Sequence, residues 1–222
     1  IIGLAIHVST TFARPYPASQ APLFQYDFRT QWGDEIDNYY AISDGGLPKG
    51  MINRIGFPEN HKLGKDEWST IVANELKKEI DFKISINADT NTVSVSVTLQ
   101  NTVPNNFNLV VCLTESNIIN WQADKEYPGG ERSDYEHNHV LRTVIYDNQL
   151  SNQEVFQIGE IIEKPFDIDI SDLQDHNIDY SNNNAGNGEA GGWNTENMSV
   201  IAYIYNNTTK EIVQVEETHL HN

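Results

Sequence analysis

The chain has 222 residues, a formal net charge of −18 and a single cysteine, Cys112. One cysteine excludes an intramolecular disulfide, a Cys-x-x-Cys redox pair and a thiolate zinc site within this chain. The excess of acidic side chains argues against nucleic-acid binding, which needs positive charge opposite the phosphates. No run of about 20 apolar residues is present, so the sequence predicts no membrane-spanning helix.

The negative charge is concentrated in the second part of the chain. Residues 1–82 carry 8 Lys or Arg against 11 Asp or Glu, a net charge of −3. The remaining residues carry 6 against 21, a net charge of −15. A charge step of this kind indicates a domain boundary near Phe82. The acidity either keeps the second part soluble through self-repulsion or supplies loops that bind a divalent cation.

The first part mixes helix and strand patterns. Residues 1–8 are apolar from the first position, which predicts a buried strand. A free N-terminus on such a strand is unusual, so we expect the sequence to be a fragment that lacks preceding elements. A proline-rich extended loop is predicted at 10–22. Apolar spacing predicts helices over 31–42 and 66–78, and a strand over 51–57.

After Phe82 the pattern changes to alternation of apolar and polar residues. Val93, Val95, Val97 and Leu99 alternate without a break, which is typical of half-buried antiparallel strands. No helix is predicted after Lys78. Further strands are predicted at 108–114, 137–146, 155–162, 166–170, 199–205 and 212–218. About seven or eight short strands predict an immunoglobulin-like antiparallel β-sandwich, so the fold class is α+β.

A low-complexity segment interrupts the predicted sandwich. Residues 181–194 read SNNNAGNGEAGGWN, a composition that cannot bury a core and predicts a long loop between strands. Trp193 stands at the end of this segment, and we expect its ring to pack back onto the domain.

Two histidines form the strongest metal-like pattern. His137 and His139 lie two apart on a predicted strand, so both imidazoles would point to one face and could reach one metal ion. A third ligand would be needed, and Asp134, Glu115 and Glu126 are equally placed to supply it. In the alternative interpretation the histidines hydrogen-bond locally and order the start of the strand. The letters His-Asn-His do not indicate an HNH nuclease, whose motif is longer and needs basic surroundings.

Acidic residues after Phe166 suggest a calcium site. Asp167 and Asp169 would share one strand face, and Asp172, Asp175 and Asp179 follow. Calcium prefers clusters of oxygen ligands, but this spacing does not match an EF-hand loop. Acidic residues that protect an exposed strand edge would explain the same pattern.

No catalytic set is visible. The sequence lacks Gly-x-Ser-x-Gly, a Walker loop and a Gly-x-Gly-x-x-Gly that opens a helix. Cys112 lies in an apolar predicted strand, where a cysteine is usually an inert core thiol. The sequence therefore assigns no catalytic residue and no firm cofactor.

Five segments together resemble the Bacteroidetes outer-membrane proteins of the 28-kilodalton type. Several unrelated motifs recur in the same order, and the resemblance covers nearly the whole chain. The segments are IIGLAIHVSTTFA (1–13), YDFRTQWG (26–33), GLPKGMINR (46–54), YEHNHVLRTVI (135–145) and VIAYIYNNTTKEIVQVEE (200–217).

The resemblance implies two domains and a location. It implies the back half of a thioredoxin-like domain over 1–81 and an immunoglobulin-like sandwich over 82–222. Pro48, preceded by Leu47, then corresponds to the cis-proline of thioredoxin-like folds, and any Cys-x-x-Cys pair would lie upstream of this fragment. The resemblance also implies an exported protein of the cell envelope, at the outer membrane or cell surface, with an adhesin or receptor role.

Three hypotheses for function follow. The first is a non-catalytic envelope protein that binds an unknown protein or a host-surface partner, with any membrane association through the missing N-terminal segment. The second is a thiol–disulfide oxidoreductase-like module whose cysteines lie upstream. The third is a metal-dependent binder that uses His137 and His139. The residues assigned to the family motif are His137, Asn138, His139 and Arg142.

Overall fold

A computed structural model describes residues 1–8 and 12–221, so Thr10 and Thr11 of the predicted loop lie outside the described residues. The helices of the described part are α1 (Gln31–Tyr40), α2 (Trp68–Glu75) and α3 (Ile170–Asn183). Its strands are β1 (Phe82–Ala88), β2 (Thr92–Leu99), β3 (Val103–Pro104), β4 (Phe107–Glu115), β5 (Ile118–Ala123), β6 (Glu131–His137), β7 (Val140–Gln149), β8 (Val155–Phe156), β9 (Ile161–Asp167), β10 (Met198–Asn206) and β11 (Ile212–His219).

The strands form two larger antiparallel sheets. One has the order β1-β2-β9 and the other the order β11-β10-β4-β7. Two further sheets have two strands each, β3-β8 and the β5–β6 hairpin. All strand pairings within these sheets are antiparallel. The predicted α+β class, with its antiparallel sheets, is therefore confirmed.

The main hydrophobic core lies between the two larger sheets. Val93, Val95 and Val97 of β2 are buried, while the residues between them are partly exposed. They pack in one cluster with side chains of the other sheet, including Leu109 and Val200. Alternation along the sequence therefore marked the face of the sheet that is removed from water.

A second apolar cluster covers the outer face of the four-stranded sheet. It contains Cys112, Tyr203 and Tyr205, and residues of the first part, including Trp32 and Ile36 of α1, pack against it. Burial raises the pKa of the Cys112 thiol to about 12, so the thiol is protonated at neutral pH. Segments that precede β1 thus cover both a hydrophobic surface and the only cysteine.

Residues 1–8 do not form the predicted buried strand. They contribute isolated bridges, from Ala5 to Val140 and from His7 to Arg29. Ala5 donates its N–H to the His139 carbonyl at 2.8 Å and accepts from Leu141 N–H at 2.9 Å. The segment is extended and mostly half-buried because it lies along the edge of β7 and is not enclosed within a sheet.

The strand predicted over 51–57 is also wrong. This stretch is a series of turns, with positive φ at Asn53 (48°), Arg54 (58°) and Gly56 (77°). A strand needs extended φ and ψ angles, which these left-handed conformations interrupt. The turns direct the Arg54 side chain toward the outer face of the four-stranded sheet, where it hydrogen-bonds Tyr203.

Both helices of the first part are present, with shorter bounds than predicted. Thr30 caps α1, because its side-chain oxygen accepts the Gly33 N–H at 3.0 Å. In α2 the helix ends at Glu75, so Lys77 and Lys78 follow it in a turn.

A helix after β9 corrects two predictions. No helix was expected beyond Lys78, and a strand was expected over 166–170, but β9 ends at Asp167 and α3 begins at Ile170. Asp169 caps α3 by accepting the N–H groups of Ser171 at 2.9 Å and Asp172 at 3.3 Å. Helix α3 also includes the first residues of the predicted 181–194 loop. Trp193, near the end of that loop, is buried in the main core as expected.

The cap yields a first testable prediction. Replacing Asp169 with Ala removes an acceptor from two helical N–H groups, and we expect the free energy of unfolding to fall by about 1 kcal/mol in urea titrations. The matched control is Asp175→Ala on the exposed surface of α3, which should change stability by less than about 0.5 kcal/mol. If Asp169 were a calcium ligand, calcium would stabilise the wild type and not the variant, and the capping assignment would be wrong.

Candidate binding site

A surface cleft lies beside the β5–β6 hairpin. It has a volume of about 470 Å³ and is bounded by the hairpin on one side and by residues 21–26 on the other. Ile119 and Trp121 of β5, Tyr26 and Glu189 line it. We call it the hairpin cleft. Glu189 belongs to the low-complexity segment 181–194, so this segment contributes to the cleft wall.

A cluster of packed rings, which we call the floor, adjoins Tyr26 and Trp121 of the hairpin cleft. Phe28 packs against Tyr26 with a centroid distance of 4.7 Å, against His7 at 4.9 Å and against His137 at 4.8 Å. His137 Nε2 also lies 3.3 Å from the Trp121 carbonyl oxygen. The floor is therefore fixed by residues from the N-terminal segment, the stretch before α1 and the end of β6.

A buried ion pair supports these rings. Arg142 of β7 donates from Nε and Nη2 to Glu115 Oε2, at 2.9 and 2.8 Å. The other oxygen of Glu115 accepts the Asn194 N–H at 2.9 Å. The guanidinium lies 5.3 Å from the ring centroid of Tyr26 and 5.6 Å from that of Trp193. Arg142 is thus paired, and aromatic faces surround it.

A second buried ion pair joins the stretch before α1 to the end of α3. Arg29 pairs with Asp27 through Nε at 2.9 Å and Nη2 at 2.8 Å. Asp27 also accepts from Ser181 Oγ at 2.7 Å. Gly186 passes so close that an added Cβ would lie 2.6 Å from the Ser181 carbonyl oxygen. Only glycine fits there without displacing the network.

Burial keeps the histidines of the floor neutral. It lowers the pKa of His7 to about 4, with further lowering from His137 and Arg142, whereas Asp27 acts in the opposite direction. Burial also lowers the pKa of His137. Burial raises the pKa of Tyr26, whose hydroxyl donates to the Gly191 carbonyl at 2.7 Å.

The predicted metal pair is not brought together on a strand face. His137 ends β6, whereas His139 lies in the turn before β7 with φ +52° and contacts Glu217 at 3.2 Å. Glu115 is engaged by Arg142, and Asp134 pairs with Arg132 at 3.0 Å. Glu126 is exposed in the hairpin turn. Within residues 1–8 and 12–221, no group of three or more His, Cys, Asp or Glu side chains could hold a metal ion.

The other predicted site residues have separate roles. Asn138 accepts the Asn117 N–H at 2.9 Å and so joins two turns. Asp167 and Asp169 do not share a strand face, because β9 ends at Asp167 and Asp169 caps α3. The Leu47–Pro48 peptide bond is cis, as are the bonds that precede Pro22 and Pro58.

Sequence reasoning missed most of the floor. Tyr26, Asp27, Phe28 and Arg29 alternate in the segment YDFR. Alternation over four residues places two rings on one side and an ion pair on the other, and this signal was present in the sequence. Trp121 carried no comparable signal, because its role depends on the hairpin to which it belongs.

Comparisons with solved structures found distant likenesses. A domain of the outer membrane lipoprotein Omp28 from Porphyromonas gingivalis is 18% identical, and the match covers 65% of this chain and 91% of that one, with a TM-score of 0.33. β-Glucosidase 3B from Thermotoga neapolitana in complex with glucose is 13% identical over 66% of this chain and 16% of that one, with a TM-score of 0.25. Similarity at this level supports no functional conclusion. No curated protein matches the chain.

The family comparison is more extensive. The model of the outer membrane protein Omp28 family matches residues 34–222, which include the β5–β6 hairpin, Arg142 and both larger sheets. None of the helices in the described residues has the length and apolar character needed to cross a membrane. Because the matched residues make up well over half of the chain, the chain belongs to the Omp28 family of outer membrane proteins.

Proposed function

We propose that this protein is a non-catalytic binding protein of the cell envelope, and that its partner docks in the hairpin cleft. Membership in a family of outer membrane proteins places the chain in the cell envelope. The partner is a protein of the envelope or of a host surface.

One observation carries the proposal. Exposed apolar side chains line part of the hairpin cleft, and both buried arginines near it are paired internally. Ile119 is 60% exposed and lines the hairpin cleft. Arg142 is paired with Glu115 and Arg29 with Asp27. Groups held in this way build a rigid surface and are not free to act as acids, bases or nucleophiles, which favours binding over catalysis.

The finer fold assignments are part of the proposal. Two facing antiparallel sheets with a shared core are consistent with an immunoglobulin-like sandwich over 82–222. For residues 1–81, helices α1 and α2 ahead of the sheets are consistent with a thioredoxin-like domain. The described residues 12–81 contain no β-strand longer than an isolated bridge, so this second assignment has the weaker support.

The test compares two exposed isoleucines. Ile119 and Ile161 are 60% and 59% exposed, but only Ile119 lines the hairpin cleft. Wild-type protein, Ile119→Arg and Ile161→Arg are immobilised and incubated with envelope and host-surface extracts, and recovered proteins are identified by mass spectrometry. We expect a specific protein with the wild type and Ile161→Arg, and at least tenfold less of it with Ile119→Arg.

Circular dichroism spectra that coincide for all three proteins serve as the folding control. Equal recovery by both variants, or no specific protein with the wild type, would contradict the proposal.

A further inference from the structure

A second cleft lies between α1 and the outer face of the four-stranded sheet. Its volume is about 260 Å³. Aromatic side chains and two cations line most of it; we call it the tyrosine cleft. Its principal lining residues are Trp32, Tyr39, Tyr40, Arg54, Tyr205 and Lys210.

Arg54 is a buried cation without a carboxylate partner. The residue is 7% exposed, and its one side-chain hydrogen bond in the described structure runs from Nη2 to the Tyr203 hydroxyl at 2.9 Å. The guanidinium lies 4.7 Å from the Tyr40 ring centroid and 5.0 Å from that of Tyr205. Ring faces offset part of the desolvation cost, but buried cations are usually ion-paired.

Both of the other arginines this deeply buried do have carboxylate partners. Arg29 pairs with Asp27 and Arg142 with Glu115. No described carboxylate lies within 4.0 Å of Arg54, and the side chain lines an open cleft. A guanidinium has five N–H donors in a planar fork, so most donors of Arg54 have no hydrogen-bond partner among the described residues.

Lys210 adds a second cation to the same cleft. Its Nζ lies 5.9 Å from the ring centroid of Tyr39 and 5.8 Å from that of Tyr205. Among the described residues it forms no ion pair either. Two such cations favour an anionic group at this position.

The remaining polar groups of the cleft suit hydroxyls. Asp147 accepts the Tyr205 hydroxyl at 3.0 Å, and Glu35 accepts Gln31 Nε2 at 2.8 Å. Each carboxylate keeps lone pairs for further donors. Burial raises the pKa of Tyr40 and of Tyr205 to about 12, so both hydroxyls remain protonated.

We propose that the tyrosine cleft binds a sugar acid, with its carboxylate on Arg54 and Lys210 and its ring face against the tyrosines. The carboxylate accepts from the guanidinium fork, and the sugar hydroxyls donate to Asp147 and Glu35. The net charge of −18 disfavours long polyanions. Within the cleft two cations stand beside two carboxylates, so a ligand with one carboxylate and several hydroxyls can pair with both kinds of group. The cleft volume suits a single sugar ring.

The probe is glucuronate, with glucose as the uncharged sugar of the same ring size. Saturation-transfer NMR and heteronuclear NMR titration are carried out with the whole chain at low salt, up to about 20 mM ligand. We expect saturable binding of glucuronate and at least tenfold weaker binding of glucose.

Substitutions test the two cations. Arg54→Gln should abolish detectable binding, and Lys210→Gln should weaken it about tenfold. The matched control is Lys164→Gln, because Lys164 also lies over a tyrosine ring, 5.5 Å from the Tyr146 centroid, but outside the tyrosine cleft. If Arg54→Gln does not fold, comparing glucuronate binding by Lys210→Gln and by Lys164→Gln still tests the proposal.

Four results would overturn the proposal: no saturable binding of glucuronate, equal binding of glucose, unchanged binding by a folded Arg54→Gln, or equal weakening by the two lysine variants. The proposed partner binding at the hairpin cleft is unaffected by any of these outcomes, since Ile119 and Trp121 belong to the other cleft.

Discussion

Replacing Arg142 with Met is expected to lower the free energy of unfolding by about 3–5 kcal/mol. Arg142 is 2% exposed and Glu115 4% exposed, so the substitution leaves the Glu115 carboxylate buried without its cation. It also removes the guanidinium from the rings of Tyr26, Phe28 and Trp193. Urea unfolding followed by tryptophan fluorescence measures the loss.

Two further variants separate the buried charge from simple loss of packing. Glu115→Gln combined with Arg142→Met removes both charges and keeps an acceptor for the Asn194 N–H, so it should regain about half of the lost stability. Arg132→Met breaks an exposed pair, with side chains 30% and 66% exposed, and should cost less than about 1 kcal/mol. A loss of that small size for Arg142→Met would show that the buried pair contributes little.

Acidification from pH 7 to pH 4 should destabilise the chain through His7 by about 3 kcal/mol. Burial lowers the pKa of His7 from 6.5 to about 4, so the unfolded state binds a proton more readily than the folded state. The stability contribution is complete above pH 6.5 and is lost as the pH falls toward 4. The lowered pKa of His137 acts in the same direction.

The measurement is a series of urea unfolding curves across this pH range for three proteins. His7→Phe retains a ring against Phe28 and cannot be protonated, so its stability should fall by about 3 kcal/mol less than that of the wild type. His176 is exposed on α3, and His176→Gln should follow the wild type. Comparing the variants cancels the contribution of the carboxylates, which all three proteins share. If the stability of His7→Phe fell with pH as steeply as that of the wild type, the destabilisation could not be assigned to His7.

Much of the sheet structure could be predicted from the alternation of apolar and polar residues in the sequence. The alternating valines of β2 marked a strand with one buried face, because side chains on a strand point alternately to its two faces. Helix α3 escaped prediction because its sequence, ISDLQDHNIDYSNN, is mostly polar and rich in Asp and Asn, which favour turns and caps. Only a few apolar residues, such as Ile170 and Leu173, pack it against the main core.

The candidate sites were less predictable than the sheets. His137 and Arg142 were assigned to one sequence motif. The same-face argument for a metal site required both histidines to lie on one strand, and His139 lies in a turn. The environment of Arg142 depends on Glu115, 27 residues earlier. The position of Arg54, away from any carboxylate, depends on turns with positive φ. The apolar residues around it in the sequence did not indicate these turns.

The contacts of the first part with helix α3 and with the four-stranded sheet also bear on how fast the chain folds. Ser181 reaches Asp27 across 154 residues, Arg54 reaches Tyr203 across 149, and Tyr180 reaches Asp34 across 146. Closing loops of this length costs entropy before any contact is made, and chains dominated by such contacts fold slowly. Until they close, the outer face of the four-stranded sheet, with Cys112 and Tyr203, stays uncovered. The apolar surface and its thiol are therefore exposed in the folding chain until the first part packs onto the sheet.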